Sequence, residues 1–260
     1  MDLGVISNEI DGTVILLSAF TLFFFALVFY LQRESRREGY PLEYDTKPGQ
    51  YDTADSAWIP PVKTFELFHG GESESHRPDK REHNMRRVAV WDGSPYEPVG
   101  NPLTAGVGPG SYADRADTPD LTREGEPRIV PMRLAEGFSI VKGVSDPRGW
   151  TVVGADNAPA GKVSDLWVDR ADHLTRFLEV DLDAEADEPG SGKVLAPIVM
   201  IDVDKERRVI RVDAILGEQF ADVPRTASAE QITLLEEEKI TAYYAAGTLY
   251  ATPQRLEPLL

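Results

Sequence analysis

Gly12–Gln32 reads GTVILLSAFTLFFFALVFYLQ, an uncharged and almost wholly apolar run. At a rise of 1.5 Å per residue, roughly 20 residues make a helix about 30 Å long, the thickness of a bilayer's hydrocarbon core. In that medium every backbone polar group must be satisfied within the segment, so the stretch is expected to be one transmembrane helix. A secretory signal would begin with positive charge, but Met1–Asp11 holds Asp2, Glu9 and Asp11 with no Lys or Arg, and the basic residues follow the run. A buried core helix would carry a polar stripe, whereas only Thr13, Ser18 and Thr21 interrupt this one.

The flanks set an expected orientation. Arg33, Arg36 and Arg37 crowd the C-terminal end and no basic residue precedes the helix. The positive-inside rule therefore puts the short N-terminus, residues 1–11, outside and everything after Gln32 in the cytoplasm of a single-pass membrane protein. The three arginines can sit among anionic headgroups, with Phe29 and Tyr30 in the aromatic interfacial belt.

Of 260 residues, about 225 lie beyond this helix, enough for one domain with a substantial core and a long connector. There is no cysteine, so disulfides, thiolate metal sites and cysteine nucleophiles are excluded. The formal charge is −17, and since the first 32 residues hold three acids and no base, −14 belongs to the rest. A surface so acidic is repelled by phosphate backbones, which argues against nucleic-acid binding. The acidity serves either solubility or the handling of protons and cations.

Residues 33–120 are punctuated by Pro and Gly, which forbids long helices or sheets. Tyr40, Tyr51, Trp58, Phe65, Phe68, Trp91, Tyr96 and Tyr112 make the stretch too aromatic for a solvated linker. It is expected to lie extended on another protein's surface, its prolines lowering the entropy cost of ordering. Residues 121–260 read as a β-rich domain. Strand-like runs fall at Phe138–Val141, Trp150–Val153, Lys162–Asp169, Arg176–Leu182, Val194–Asp202 and Arg208–Ile215, each bounded by turn residues. This spacing predicts a small antiparallel sheet or barrel. Leu234–Ala246 has acids in its first turns and Gly247 after it, which predicts one helix stopping there.

The apolar span followed by YLQRESRREGYPLE (30–43), then PVKTFELFHGG (61–71), NPLTAGVGPGSYADR (101–115), RIVPMRLAEGFSI (128–140), GKVSDLWVDRADHLTRFLEVDL (161–182) and TLLEEEKITAYYAAGTLYA (233–251), resembles the H subunit of the photosynthetic reaction centre of purple bacteria. The likeness covers nearly the whole chain in order. It implies a PRC-barrel cytoplasmic domain that caps the L and M subunits, shields the quinone side from water and helps bring protons to the secondary quinone. It further implies that this chain binds no pigment itself, is not an enzyme in its own right, and leaves bacteriochlorophyll, bacteriopheophytin, quinones and non-haem iron to L and M. A cytochrome subunit, a core light-harvesting antenna and membrane lipids are further expected partners in an intracytoplasmic membrane. A membrane-tethered PRC-barrel adaptor for some other cytoplasmic partner is the competing reading.

Protons reach a buried reduced quinone only through titratable side chains, and mutual repulsion within a carboxylate cluster can raise pKa values toward the working pH. Asp165, Asp169, Asp172, Glu179 and Asp181, with Arg176 among them, are such a cluster in sequence. By resemblance, Asp172 takes the position of the family's interior glutamate, Arg176 that of its partner arginine, and Asp169 that of an acid on the outer part of the path. Acids alternating along a strand also read as one solvated face with ordinary ion pairs. Glu124 and Glu126 stand where some family members carry two surface histidines, so capture of transition metals is expected to be weaker here. His69, His76 and His83 read as exposed loop residues rather than a metal site, and Gly106–Gly110 as a turn rather than a phosphate cradle. His173, beside Asp172, fits either a proton relay or a surface turn.

Overall fold

A computed structural model of the chain describes residues 12–44, 47, 50, 58–74, 81, 84–182 and 192–256; the flank 1–11, Tyr51, His76 and His83 lie outside the described residues. The chain divides into two compact units, residues 1–80 with 89–94, and residues 81–88 with 95–260.

In the first unit, helix α1 spans Gly12–Glu34 and buries none of its residues. Apolar exposure on every side is what a helix solvated by lipid requires, and length and composition make this segment a candidate membrane span. Beyond it, strands β1 (Thr64–Glu66) and β2 (Glu72–Glu74) pair antiparallel with Phe65 opposite Ser73. Gly70 and Gly71, at φ 86° and 90°, take the left-handed backbone that closes the hairpin. Phe65, Leu67 and Phe68 stay exposed, Phe68 by 81%.

In the second unit, β3 (Met85–Arg87) and β4 (Tyr96–Pro98) form a separate two-stranded ribbon. The main sheet contains β5 (Ile129–Pro131), β6 (Thr151–Gly154), β7 (Pro159–Asp169), β8 (Leu174–Leu182), β9 (Gly192–Pro197), β10 (Asp202–Asp204) and β11 (Val209–Val212). Its order is β10-β11-β6-β7-β8-β9, with β5 on the second half of β7. All pairs are antiparallel except β11 with β6. The two outer strands, β9 and β10, are joined by only Ile198–Ile201. Four residues reach roughly 15–18 Å at most, so the sheet must curl its edges toward each other. Val152, Val163, Leu178, Val180, Ile210 and Ile215 fill the core with Ile240, Tyr243 and Tyr244 from helix α2 (Leu234–Tyr250).

The expected fold class holds: one N-terminal apolar helix, a mostly-β domain and one C-terminal helix. Three local expectations do not. Phe138–Val141 forms no strand, because β5 pairs along the C-terminal half of β7, and β6 and β8 occupy the remaining length of that strand's edges. Val194–Asp202 is two strands, since Pro197, which has no N–H, ends β9 and a 3₁₀ turn over Ile198–Met200 follows. Gly247 does not stop α2, which runs on to Tyr250. A Cβ there would sit 2.4 Å from the Ala214 carbonyl oxygen and from Ile215 Cγ2, so this glycine lets the helix press onto the chain after β11.

The start of α2 is a capping box. The Glu236 N–H donates to Thr233 Oγ1 at 3.1 Å, and the Thr233 N–H donates to Glu236 Oε2 at 2.9 Å. The Thr233 hydroxyl also donates to Asp117 Oδ1 at 2.7 Å. Thr233→Ala is expected to lower stability by about 1–2 kcal/mol, read as a lower urea midpoint at unchanged m-value.

Candidate functional site

Strand β7 is buried on both faces, and this builds the site. Leu166 and Trp167 belong to the main core and Val168 to a smaller cluster with Val130 and Ala135, while Asp165 and Asp169 are buried on the same strand, and all five are at most 7% exposed. The solvated-face reading of these acids therefore fails for Asp165, Asp169 and Glu179, and holds only for Asp181. Unpaired buried carboxylates are costly, so each must collect donors.

Asp169 collects the most. Its carboxylate accepts from Arg128 Nε at 3.0 Å, from Arg176 Nε and Nη2 at 3.2 and 3.1 Å, and from the backbone N–H groups of Ala171 and Asp172 at 2.9 Å each. The turn that supplies the N–H groups is tight: β7 ends at Asp169, β8 starts at Leu174, and His173 at φ 56° closes it by donating its N–H to the Asp169 carbonyl. The connection between the expected runs Lys162–Asp169 and Arg176–Leu182 is thus shorter than six residues, and Leu174 and Thr175 belong to β8.

Both guanidiniums also reach Asp172 Oδ2, Arg128 Nη2 at 2.6 Å and Arg176 Nη2 at 3.0 Å. Arg128 adds Asp120 at 3.1 Å. Asp172 keeps 47% of its side chain exposed, while that of Asp169 is fully covered. Glu126 sits on the same corner, 2.7 Å from Arg170 Nη1, and Arg170 further donates to the Pro127 carbonyl. Glu124 is exposed in the turn before it.

A second buried pair lies farther up the strands, where Asp165 stands opposite Glu179. Glu179 accepts from Lys193 at 2.6 Å, Ser164 at 2.7 Å and Trp167 Nε1 at 3.0 Å. Arg133 bridges it to Asp165 at 3.3 and 3.0 Å.

Electrostatics correct one expectation. Burial pushes the pKa of Asp169 up, but Arg128, the Asp172 N–H, Arg176 and the Ala171 N–H outweigh it and hold the carboxyl below its ordinary range. Burial likewise opposes ionisation of Glu179, and Lys193, Ser164 and Trp167 prevail, again lowering it. Repulsion within the cluster is therefore overridden by cations and donors, and these two groups stay anionic. Among the described carboxylates a raised pKa falls on Glu237, near the start of α2, where burial outweighs the cationic fields of Arg176, Arg115 and Arg128.

Of the residues named from sequence, Asp169, Asp172, Arg176 and Glu126 meet at one corner, and Glu124 is the exposed tip beside it. Sequence reading missed Arg128, Asp120, Arg170 and Glu237. Arg128 was visible only as the basic residue opening RIVPM. Nothing in its spacing announces a partner 41 positions on. The membrane-end arginines make contacts within their own unit. Arg36 donates to the Gln32 carbonyl at 2.8 Å, and Arg37 donates to Glu34 and to the Pro61 carbonyl.

Two regions of the chain match known families. Residues 139–219, carrying β6 to β11, match the PRC-barrel domain, which makes this curled sheet a member of that class. Residues 4–134, half of the chain, match the photosynthetic reaction centre H-chain N-terminal region. The chain belongs to the reaction centre H-chain family and is an H subunit, a membrane-anchored component of a complex that also contains L and M subunits. The Asp169 corner joins the two matched regions, with Asp120 and Arg128 from the first and Asp169, Asp172 and Arg176 from the second.

Proposed function

We propose that this H subunit caps the cytoplasmic side of L and M, stabilises the assembly and passes protons toward the secondary quinone during light-driven electron transfer. In this reading its N-terminus is periplasmic, its bulk is cytoplasmic, and it sits in the inner (intracytoplasmic) membrane of a purple bacterium. Pigments, quinones and non-haem iron reside in L and M, and a cytochrome subunit and core antenna can share the complex. The chain itself performs no catalysis. Exposed Phe65, Phe68, Val90 and Trp91 support docking, since an apolar surface of that kind is normally covered by a partner.

The proton reading rests on one observation: half-exposed Asp172 and fully covered Asp169 share the guanidiniums of Arg128 and Arg176. A reduced quinone in a water-excluded site gains protons only from groups within hydrogen-bond reach or one water away. Asp172 is the member of the corner open to bulk water, and Glu126 and Glu124 extend the acidic surface around it. Asp169 remains ionised and sets the field in which Arg128 and Arg176 are held. Glu237, whose carboxyl burial pushes above its ordinary value against the fields of Arg176, Arg115 and Arg128, is a further carboxyl that this path can use.

In the assembled complex, Asp172→Asn is expected to slow the proton-coupled second electron transfer by on the order of tenfold and to leave primary charge separation unchanged, as measured by double-flash absorption spectroscopy. An unaltered second transfer would reduce the role of this chain to capping alone.

A further inference from the structure

The core-facing side of the sheet opens into a cavity of about 410 Å³ within the barrel unit. Leu166, Val168, Leu178 and Ile210 are among its walls, and the irregular Phe138–Val144 segment, Ile201 and Val203 frame it. The apolar rim is open to water: Val141 is 71% exposed, Val144 57% and Val203 43%. Such a pocket at the mouth of a barrel is where small apolar ligands are held.

Charge narrows the ligand. The chain carries 44 Asp and Glu against 27 Lys and Arg, yet the charged or titratable groups lining this cavity are Lys205 and His173, with no carboxylate. His173 stacks on Phe138 with centroids 5.3 Å apart and planes 9° apart, which commits its ring to the wall. Lys205, on the turn between β10 and β11, makes no ion pair among the described residues. Although Asp204 and Glu206 flank Lys205 in sequence, a lining that holds an ammonium and no carboxylate is complementary to an anion with an apolar tail.

Size agrees. The volume is roughly two to three times that of the dry apolar cavity that accepts benzene, which gives room for roughly ten to fifteen carbon atoms. Burying each methylene contributes about 0.8 kcal/mol, so a chain of that length binds appreciably even after its ordering cost.

We propose that this cavity is a binding site for a single-chain anionic amphiphile of the fatty-acid class, its acyl chain against Leu166, Val168 and Ile210 and its carboxylate at Lys205. The test uses the whole complex in phosphatidylcholine nanodiscs with a diazirine-bearing dodecanoic acid, followed by peptide mapping of the photo-crosslinks. Saturable labelling is expected within residues 138–150 and 198–205. Dodecanoate should compete with it, and dodecanol should compete about fivefold less well. Lys205→Glu should reduce labelling about fivefold, and Val203→Trp, which fills the open rim, should abolish it while labelling of α1 by membrane-dissolved probe persists. Equal competition by dodecanol, or full labelling in Lys205→Glu, would overturn the proposal. So would labelling confined to α1. Labelling of the free chain but not of the complex would assign the cavity to an apolar segment of a neighbouring subunit and overturn it equally.

Discussion

Asp169→Asn is expected to destabilise the barrel unit by on the order of 3 kcal/mol at neutral pH, the low end for removing one member of a buried charge cluster. The low end applies because the side chains of Arg128 and Arg176 are 26% and 38% exposed, and both guanidiniums keep Asp172, so water and the second carboxylate partly compensate the loss of Asp169. The asparagine also turns an NH₂ toward donors, where the carboxylate offered only acceptors. The pH dependence distinguishes this from a packing defect. The folded-state pKa of Asp169 is depressed below its ordinary value of 3.8, so its contribution is present above about pH 4 and is lost as pH falls through the folded value. The gap between wild type and variant should be widest at neutral pH and close progressively below about pH 4. Urea unfolding followed by fluorescence of buried Trp150 and Trp167 reports on this unit. A gap that stays constant down to the acid limit would refute the ion-cluster account.

Gly247→Ala is expected to cost about 2–3 kcal/mol, although alanine is the better helix former by about 1 kcal/mol. The new methyl would lie 2.4 Å from the Ala214 oxygen and from Ile215 Cγ2, and 3.0 Å from the Ala214 carbonyl carbon. Two of those three neighbours are backbone atoms. The Ala214 carbonyl is further held by Arg255 Nη1 at 2.8 Å, and the same nitrogen reaches the Gly247 carbonyl at 2.8 Å. Relief therefore requires α2 to lift from the chain beyond β11. Thermal denaturation of the full chain in detergent should show a loss of several degrees. A neutral or stabilising alanine would mean that this contact is looser than its distances imply.

How far the sequence reaches is clear at particular positions. The Gly12–Gln32 run was legible because a bilayer selects on composition alone, and α1 follows it to Glu34. Strands β6, β7, β8 and β11 were legible from short β-branched runs between turn residues. Phe138–Val141 has the same composition, yet forms no strand, since pairing depends on which edges are free. The acids of β7 carried an alternation that normally marks a wet face. What buries them is a cover supplied from distant positions, including Arg128 and Arg133, and local patterning carries no trace of it. Gly247 misled for the same reason: a glycine required by a neighbour's backbone looks, in sequence, like one that ends a helix.

The parallel pairing of β6 with β11 bears on how the molecule is made. Thr151 stands beside Val209, and Pro119 bridges to Thr233, so β6 and the segment around Pro119 each have a partner far along the sequence, although β6 also pairs locally with β7. Closing such distant pairs is entropically slow. On the ribosome the anchor helix emerges long before those partners do, so the nascent protein is tethered to its bilayer while the barrel is still incomplete.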